Sequence, residues 1–135
     1  MPLKLLLFTI FSGSTSAHVQ SDTDKHPFEP CPDTPNCVIQ SIAFETSGDD
    51  LYRIALNVMN EFSPHELFPN SQKLQIDAVF RIRLFGFKDD VNIAIEPAGN
   101  HSYLHIKSAS RVGHGDLGVN YRRVNRIVNK LKEKL

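Results

Sequence analysis

Hydrophobic and polar residues alternate along the middle of the chain with the period of a β-strand. From Leu74 to Leu84 the even-numbered residues are apolar, and polar residues stand at most positions between them. The same alternation returns at 91–96 and at 103–107, after the turn-like segments GFKDD and PAGN. Because successive side chains of a strand point to opposite faces, the pattern predicts three antiparallel strands with one buried and one polar face.

Apolar residues three and four positions apart predict a helix on each side of these strands. The segment LYRIALNVMNEF (51–62) carries one such stripe, and residues 117–135 carry another. Asp49 or Asp50 fits the N-cap of the first helix, and Asp116 fits that of the second.

A short strand, SIAFE (41–45), precedes the first helix, and Pro64 and Pro69 predict a loop after that helix. The predicted order is strand-helix-strand-strand-strand-helix. Two helices over one face of an antiparallel meander sheet make an α+β two-layer sandwich.

The N-terminal segment predicts export. Residues 1–17 contain a lysine, an apolar run and then small residues ending at Ala17, which is the three-part form of a secretory signal peptide. The apolar run is too short to span a bilayer, and its alternative role is a core strand. Residues 18–30 are polar and predict a flexible leader, so a single domain over 31–135 remains. We expect a periplasmic or secreted protein with no transmembrane segment in the mature chain.

Cys31 and Cys37 enclose five residues, two of them prolines. In an oxidising compartment such a pair is most simply a disulfide, which would stabilise the domain by roughly 2–2.5 kcal/mol. A redox-active pair usually has two intervening residues, and a zinc site needs two further ligands. We therefore predict a structural disulfide, and no metal or other cofactor.

The composition argues against nucleic acid as a partner. The 135 residues include 15 basic and 15 acidic side chains, so the net charge is close to zero. A balanced charge produces no long-range field that would attract a polyanion, and the sequence has no basic face with interleaved aromatic residues.

Three motifs, CPDTPNCV, FRIRLFGFKDDV and SASRVGHGDLGVNYRRV, occur in this order. Together they resemble the bacterial domain-of-unknown-function family 1499 over residues 31–131. The resemblance implies a domain of this size but no particular reaction. His114, Gly115 and Tyr121 depart from the usual family motif. The positions that the resemblance singles out are Arg111, Gly113, Asp116, Gly118, Asn120 and Arg122 or Arg123.

The two arginines near the start of the last helix need a negative partner. The helix dipole is positive at that end, and Arg122 also faces Arg126 one turn later, so the charges repel. One hypothesis is an internal acceptor: Asp89, Asp90 or Asp116. The other is an external anion held by free backbone amides at the helix start, the glycine-rich loop and the arginines. On the second hypothesis the ligand-binding residues are Arg111, Gly113, Asp116, Gly118, Asn120, Arg122 and Arg123.

The polar face of the sheet is a second candidate surface. Mixed charges there usually serve solubility and cross-strand pairing, but they can also bind a partner. Its residues are Asp77, Arg81, Arg83, Glu96, Tyr103, His105 and Lys107.

We therefore predict a non-catalytic binding or interaction module whose partner is a small anionic ligand or an envelope protein. Outside the signal segment no serine stands in a nucleophile elbow, and we assign no catalytic residue. The alternative is a small hydrolase or metal-dependent enzyme that uses His114, Asp116 and Asp89 or Asp90. A third class is an envelope structural protein that acts through the polar face of the sheet.

Overall fold

The described part of the chain folds into a five-stranded antiparallel sheet covered on one face by two helices. The computed structural model describes residues 25–83, 86–113 and 115–135. The elements are β1 (Cys37–Phe44), α1 (Gly48–Glu61), β2 (Glu66–Asn70), β3 (Gln75–Arg81), β4 (Lys88–Ala98), β5 (His101–Ser110) and α2 (Val119–Lys134). The strand order in the sheet is β1-β5-β4-β3-β2. The predicted α+β two-layer class is confirmed.

The order of the elements is as predicted, with one additional strand. We predicted a loop around Pro64 and Pro69, but β2 pairs antiparallel with β3 through residues 66–70 and places Phe68 opposite Asp77. Proline cannot donate a backbone hydrogen bond, so it weakens a strand prediction. It is tolerated here because β2 lies at the edge of the sheet and, among the described residues, pairs only with β3.

The turn predicted at 86–90 is shorter than expected. Strand β4 begins at Lys88, so Asp89 and Asp90 belong to the strand rather than to a turn. Asp89 lies opposite Phe80 in the register of β3 and β4. Since neighbouring residues of a strand point to opposite faces, the two carboxylates lie on opposite sides of the sheet.

The hydrophobic core lies between the helices and the face of the sheet that the alternation predicted. Its fully buried side chains make one continuous cluster, and burying each large one contributes about 1.5–3 kcal/mol. They include Leu51, Val58 and Met59 from α1, Ile76, Ile93, Leu104 and Ile106 from the sheet, and Val124, Ile127 and Leu131 from α2.

The chain before β1 is fastened to the sheet. The predicted disulfide joins Cys31 to Cys37, with a Cα–Cα distance of 5.6 Å. Residues 25–30 form neither helix nor strand, but Lys107 Nζ donates a hydrogen bond of 2.8 Å to the backbone oxygen of Glu29. The proposed signal peptide and the first part of the leader lie outside the described residues.

Helix α1 begins two or three residues earlier than its acidic residues predicted. Its N-cap is Ser47, whose hydroxyl oxygen accepts a hydrogen bond of 3.2 Å from the Asp50 amide. Asp49 and Asp50 instead occupy the first turn, where their charge suits the positive end of the dipole. Within the described part of the chain, neither helix is long and apolar enough to cross a membrane.

Candidate anion-binding site

A buried ion pair joins the sheet to helix α2. Arg123 donates from Nη2 to Oδ2 of Asp89 over 2.8 Å, and the two side chains are 11% and 0% exposed. Its Nη1 donates to Ser108 Oγ and to Asn120 Oδ1, over 3.1 and 2.9 Å. The guanidinium carbon lies 4.8 Å from the ring centroid of Phe80, a cation–π distance. Arg123 is therefore held in one orientation by contacts from the protein itself.

Asn120 lies at the centre of the same network and is fully buried. Its Nδ2 donates to Ser110 Oγ over 2.8 Å and to Asp116 Oδ2 over 2.7 Å, and it lies 3.3 Å from the backbone oxygen of Asn36. Its Oδ1 accepts from Ser108 Oγ over 2.6 Å. One amide side chain thus links α2 to β5 and to the loop before β1, which is an architectural role.

Asp116 performs the capping that the sequence predicted, although it is not the N-cap residue. Helix α2 begins at Val119, and Gly118 occupies the N-cap position with φ 77°. The carboxylate of Asp116 accepts from the backbone amides of Gly118 and Asn120, over 2.8 and 2.9 Å. Burial alone would raise the pKa of Asp116, but the hydrogen bonds donated by Asn120 and Gly118 outweigh it and lower the pKa below its ordinary value.

This cap changes how an anion could be bound at the start of α2. The amides of Gly118 and Asn120 donate to the Asp116 carboxylate, and the amide of Val119 donates to the Asp116 carbonyl oxygen over 3.2 Å. They are therefore occupied, and the carboxylate adds a negative charge beside them. These three amides are not available to an external anion, so side chains have to supply contacts that the helix start would otherwise make.

Arg111 is separated from Arg123 by the thickness of the sheet. It forms a bidentate pair with Asp90, from Nε to Oδ2 over 2.9 Å and from Nη2 to Oδ1 over 2.8 Å. This hydrogen bonding raises the pKa of Arg111. Gly113 is also engaged internally, since its carbonyl oxygen accepts from Asn36 Nδ2 over 2.7 Å. The seven positions proposed as ligand-binding are therefore not brought together in one place.

A cavity of about 320 Å³ lies between the end of α1, strand β3 and the first turns of α2. We call it the arginine pocket. It is lined by Phe62, Phe80, Val119, Arg122, Arg123 and Arg126. A second depression, of about 560 Å³, shares Phe62 and Phe80 and is also lined by Ser63, His65, Arg81 and Arg83.

Two of the arginines in this pocket have no acidic partner among the residues that the structure describes. Arg122 donates from Nη1 to the backbone oxygen of Leu117 over 2.7 Å, which leaves its charge uncompensated. Within residues 25–83, 86–113 and 115–135, neither Arg122 nor Arg126 forms an ion pair. Arg126 and the two phenylalanines were not among the predicted ligand-binding residues. The sequence does show Arg126 four residues after Arg122, with like charges on one helix face, but this spacing alone did not assign Arg126 to a ligand site.

A different polar cluster occupies the opposite, solvent-facing side of the sheet. His105 lies between the hydroxyl of Ser41 and the carboxylate of Glu96 and bonds to both, over 2.7 and 3.0 Å. Elsewhere on this face Asn92 donates to Asp77 across neighbouring strands over 2.8 Å. His105 and Glu96 were predicted on this face from the alternation of the strands, whereas Ser41 was not predicted beside them, because only the register of β1 on β5 brings it there.

The carboxylates that a metal-dependent enzyme would use do not lie together in the structure. Asp89 binds Arg123, Asp90 binds Arg111 on the other face, and Asp116 caps α2. His114 lies outside the described residues. Within the part of the chain that the structure describes, no three histidine, cysteine or acidic side chains form a group able to hold a metal ion.

The chain belongs to the family described as a protein of unknown function, DUF1499, whose model matches residues 27–131. No curated protein matches its sequence.

Several solved structures are similar in fold. One is the di-domain ARO/CYC protein BexL from the BE-7585A biosynthetic pathway (12% identity, TM-score 0.48), where the match covers 73% of this chain but only 43% of that one. Another is TTHA0849 of Thermus thermophilus, at 10% identity and TM-score 0.46, with 72% and 94% of the two chains covered. A START superfamily protein of Mycobacterium smegmatis has 14% identity and TM-score 0.42, with 72% and 89% covered.

Proposed function

We propose that the protein is an exported binding module that holds a small anionic ligand in the arginine pocket. The observation that carries the proposal is the pair Arg122 and Arg126, one turn apart on α2, which border an aromatic-walled cavity without acidic partners among the described residues. Like charges at this spacing repel, so the arrangement costs free energy that a bound anion would recover.

The three arginines of the pocket divide into two roles. Arg123 uses its donors on Asp89, Ser108 and Asn120, and so it fixes one wall of the pocket. Arg122 and Arg126 are exposed and keep donors for a ligand. Against one carboxylate the pocket holds three guanidinium groups, so its local charge is positive although the whole chain is neutral.

The chemistry of the pocket favours a compact anion such as a phosphate, sulfate or carboxylate group. Guanidinium groups bind these oxyanions through paired hydrogen bonds. The volume of about 320 Å³ lies at the small end of the range for ligand sites. Phe62 and Phe80 add an apolar wall, which would accommodate an uncharged part of the ligand.

Thermal unfolding with added anions tests the proposal. The samples are wild type, Arg122→Ala and Arg126→Ala, each with inorganic phosphate, sulfate or citrate at constant ionic strength. At a hundred times its dissociation constant a ligand adds about 2.7 kcal/mol, which for a domain of this size is a rise of roughly 8–15 °C in Tm. Wild type should show such a rise for at least one anion, and both variants should lose most of it.

Arg53→Ala is the matched control for this experiment. Arg53 is an exposed arginine on the other helix, paired with Asp50, and it does not border the pocket. Its replacement removes the same charge from the protein and should leave the anion response unchanged. If no anion stabilises wild type, or if Arg53→Ala reduces the response as much as Arg122→Ala, the arginine pocket is not a specific anion site.

The export that we propose rests on the N-terminal signal-like segment and is supported by the disulfide, which persists in oxidising compartments. Expression of the full chain in a bacterium with a Sec pathway, followed by fractionation and intact-mass measurement, tests it. The expected product is periplasmic or secreted and begins at His18. A full-length product confined to the cytoplasm would contradict export.

A further inference from the structure

Three neighbouring strands contribute to one chain of hydrogen bonds on the solvent-facing side of the sheet. Ser41 of β1 lies directly opposite His105 of β5, and Ala94 of β4 lies opposite His105 on its other side. Glu96, two residues along from Ala94, reaches back to the ring. Ser41 Oγ is 2.7 Å from Nδ1, and Nε2 is 3.0 Å from the carboxylate of Glu96.

The partners of His105 determine which nitrogen of its neutral ring carries the proton. A carboxylate can only accept a hydrogen bond, so Nε2 must donate to Glu96. The other nitrogen, Nδ1, then has a free lone pair and accepts from the hydroxyl of Ser41. The hydroxyl proton of Ser41 therefore points at the lone pair of His105, and Glu96 fixes the tautomer of His105. An activated serine nucleophile requires this arrangement.

We propose that Ser41 and His105 form an acyl-transfer site that acts on small uncharged esters, with Glu96 as the residue that positions His105. The roles of the two ring nitrogens are exchanged relative to the serine protease arrangement, but the requirement is the same: a lone pair facing the hydroxyl. The site is independent of the arginine pocket, because the pocket lies on the helix side of the sheet and these side chains lie on the other.

The first step forms a bond between Ser41 Oγ and the carbonyl carbon of the ester, while the hydroxyl proton moves to Nδ1 of His105. The carbonyl π electrons move to the carbonyl oxygen. When they return, the bond to the alcohol oxygen breaks, and that oxygen takes the proton from Nδ1. Water then attacks the acyl-serine with the same proton transfers, which releases the carboxylic acid and restores the hydroxyl of Ser41.

Ser41 lies on a strand that a substrate can reach. Within the described residues β1 is an edge strand of the sheet, paired only with β5. Alternate backbone amides of an edge strand point away from the sheet, and we assign to them the role of donors to the negative oxygen of the intermediate. Ile39 and Ala43 share the face with Ser41 at the neighbouring positions of β1, so the surroundings favour a short apolar acyl group.

His105 is held far more firmly than an ordinary surface histidine. Its side chain is 5% exposed, whereas that of Glu96 is 63% exposed. The ring of Tyr103 lies nearly parallel to it, with 6.5 Å between the ring centroids. A base fixed by contacts on several sides loses little freedom when it takes up a proton in the transition state.

A fluorophosphonate probe tests for the nucleophile directly. The protein is incubated with the probe, digested, and analysed by mass spectrometry, and the hydrolysis of p-nitrophenyl acetate is followed in parallel. Wild type should carry one adduct, on the peptide containing Ser41, and Ser41→Ala should carry none. Hydrolysis should fall at least about a hundredfold in Ser41→Ala and in His105→Gln.

Ser71→Ala is the matched control, because Ser71 lies in the exposed turn between β2 and β3. Its adduct and hydrolysis should equal those of wild type. Thermal melts show whether each variant is folded, and Ser41→Thr supplies a second test of the site because it keeps a hydroxyl within reach of Nδ1. This variant should retain some labelling while Ser41→Ala retains none.

The variant Glu96→Gln tests whether Glu96 positions His105 for the reaction or only supports the fold. A glutamine oxygen can still accept from Nε2, so the ring should stay in place, but it cannot stabilise a positive imidazolium. We expect kcat to fall about tenfold or more with KM and Tm nearly unchanged. The proposal is overturned if wild type is not labelled at Ser41, or if hydrolysis by wild type, Ser41→Ala and Ser71→Ala is the same.

Discussion

Asp89 and Asp90 are consecutive residues of β4, yet they bind arginines on opposite faces of the sheet. Asp89 is buried beneath α2 and pairs with Arg123, whereas Asp90 pairs with Arg111 on the solvent side. The first pair fastens a helix to the sheet, and the second fastens the loop that follows β5. One dipeptide thus anchors both ends of the segment that leads into α2.

The two ion pairs should differ strongly in their effect on stability. Arg123→Ala removes the hydrogen bond to Asp89 Oδ2, and Asp89 Oδ1 is buried and accepts no hydrogen bond from the residues that the structure describes. Breaking a buried pair in this way typically costs about 3–5 kcal/mol. Arg111→Ala breaks a pair whose side chains are 44% and 42% exposed, which should cost about 1 kcal/mol or less.

Urea denaturation of wild type, Arg123→Ala and Arg111→Ala measures this difference in the free energy of unfolding. Because the two variants remove the same side chain from neighbouring pairs, each is the control for the other. Equal losses of stability would show that burial of the Asp89 pair does not govern its contribution.

Much of the fold can be predicted from periodicity, because periodicity reports which side of an element is buried. The three central strands and both helices follow from it. Strand β2 does not, since among the described strands it pairs only with β3, and Pro69 obscures its pattern. The alternation also places Asp89 on the same face as Val91 and Ile93, which are buried. A charge on that face requires a buried partner, and this could have predicted the ion pair of Asp89.

The candidate sites were less predictable than the fold. Arg122 and Arg123 could be predicted as candidate site residues, because arginines near a helix start are unusual. The sequence does not show that the Asp116 carboxylate accepts hydrogen bonds from the amides of that helix start, since this depends on the conformation of the loop before α2. The contact between Ser41 and His105 could not be predicted either, because 64 residues separate them and only the strand register brings them together.

Acid should abolish the contribution of Asp116 to stability. The pKa of Asp116 is lowered in the folded protein, so its stabilising effect is complete above the ordinary aspartate pKa of about 3.9 and is lost as the pH falls through the lowered value. At pH 7, Asp116→Asn should cost about 1 kcal/mol, because both carboxylate oxygens accept backbone hydrogen bonds and the amide nitrogen of asparagine cannot accept one.

The free energies of unfolding of wild type and Asp116→Asn, compared between pH 7 and pH 2.5, check this. The two curves should begin to converge as the pH falls below the ordinary aspartate pKa of about 3.9, and the charge contribution is fully lost only below the lowered pKa of folded wild type, where its carboxyl group is neutral. Asp50→Asn is a suitable control for charge, since Asp50 is an exposed aspartate of the first turn of α1. A difference for Asp116→Asn that is as large at pH 2.5 as at pH 7 would mean that the amide fails to cap for reasons other than charge.

The disulfide should contribute modestly to stability. The ring closed by Cys31 and Cys37 is short, and the loss of chain entropy in the unfolded state predicts about 2 kcal/mol. The double variant Cys31→Ser, Cys37→Ser should unfold with a midpoint Tm lower by roughly 6–12 °C. Reduced wild type should match the double variant. If reduction leaves Tm unchanged, the loop is held by its other contacts, such as the hydrogen bond from Asn36 to Gly113.

Gly118 connects the cap of α2 to the arginine pocket. Its φ is 77°, a conformation that costs an L-residue about 1 kcal/mol, and a Cβ at this position would lie 3.0 Å from Nη1 of Arg122. Gly118→Ala should therefore destabilise the protein and also displace the Arg122 guanidinium. Because the displaced group is one of the proposed ligand contacts, the stabilisation by phosphate or sulfate should weaken as well.

Gly99→Ala separates backbone strain from displacement of the arginine. Gly99 has a similar φ of 73°, but a Cβ there would have no neighbour within 4 Å. Both alanine variants should lose about 1 kcal/mol of stability, measured by urea denaturation without added anion. Only Gly118→Ala should then show a smaller rise in Tm with anion. An equal anion response in the two variants would argue that Arg122 can move aside without loss of binding, and that the ligand is bound mainly through Arg126.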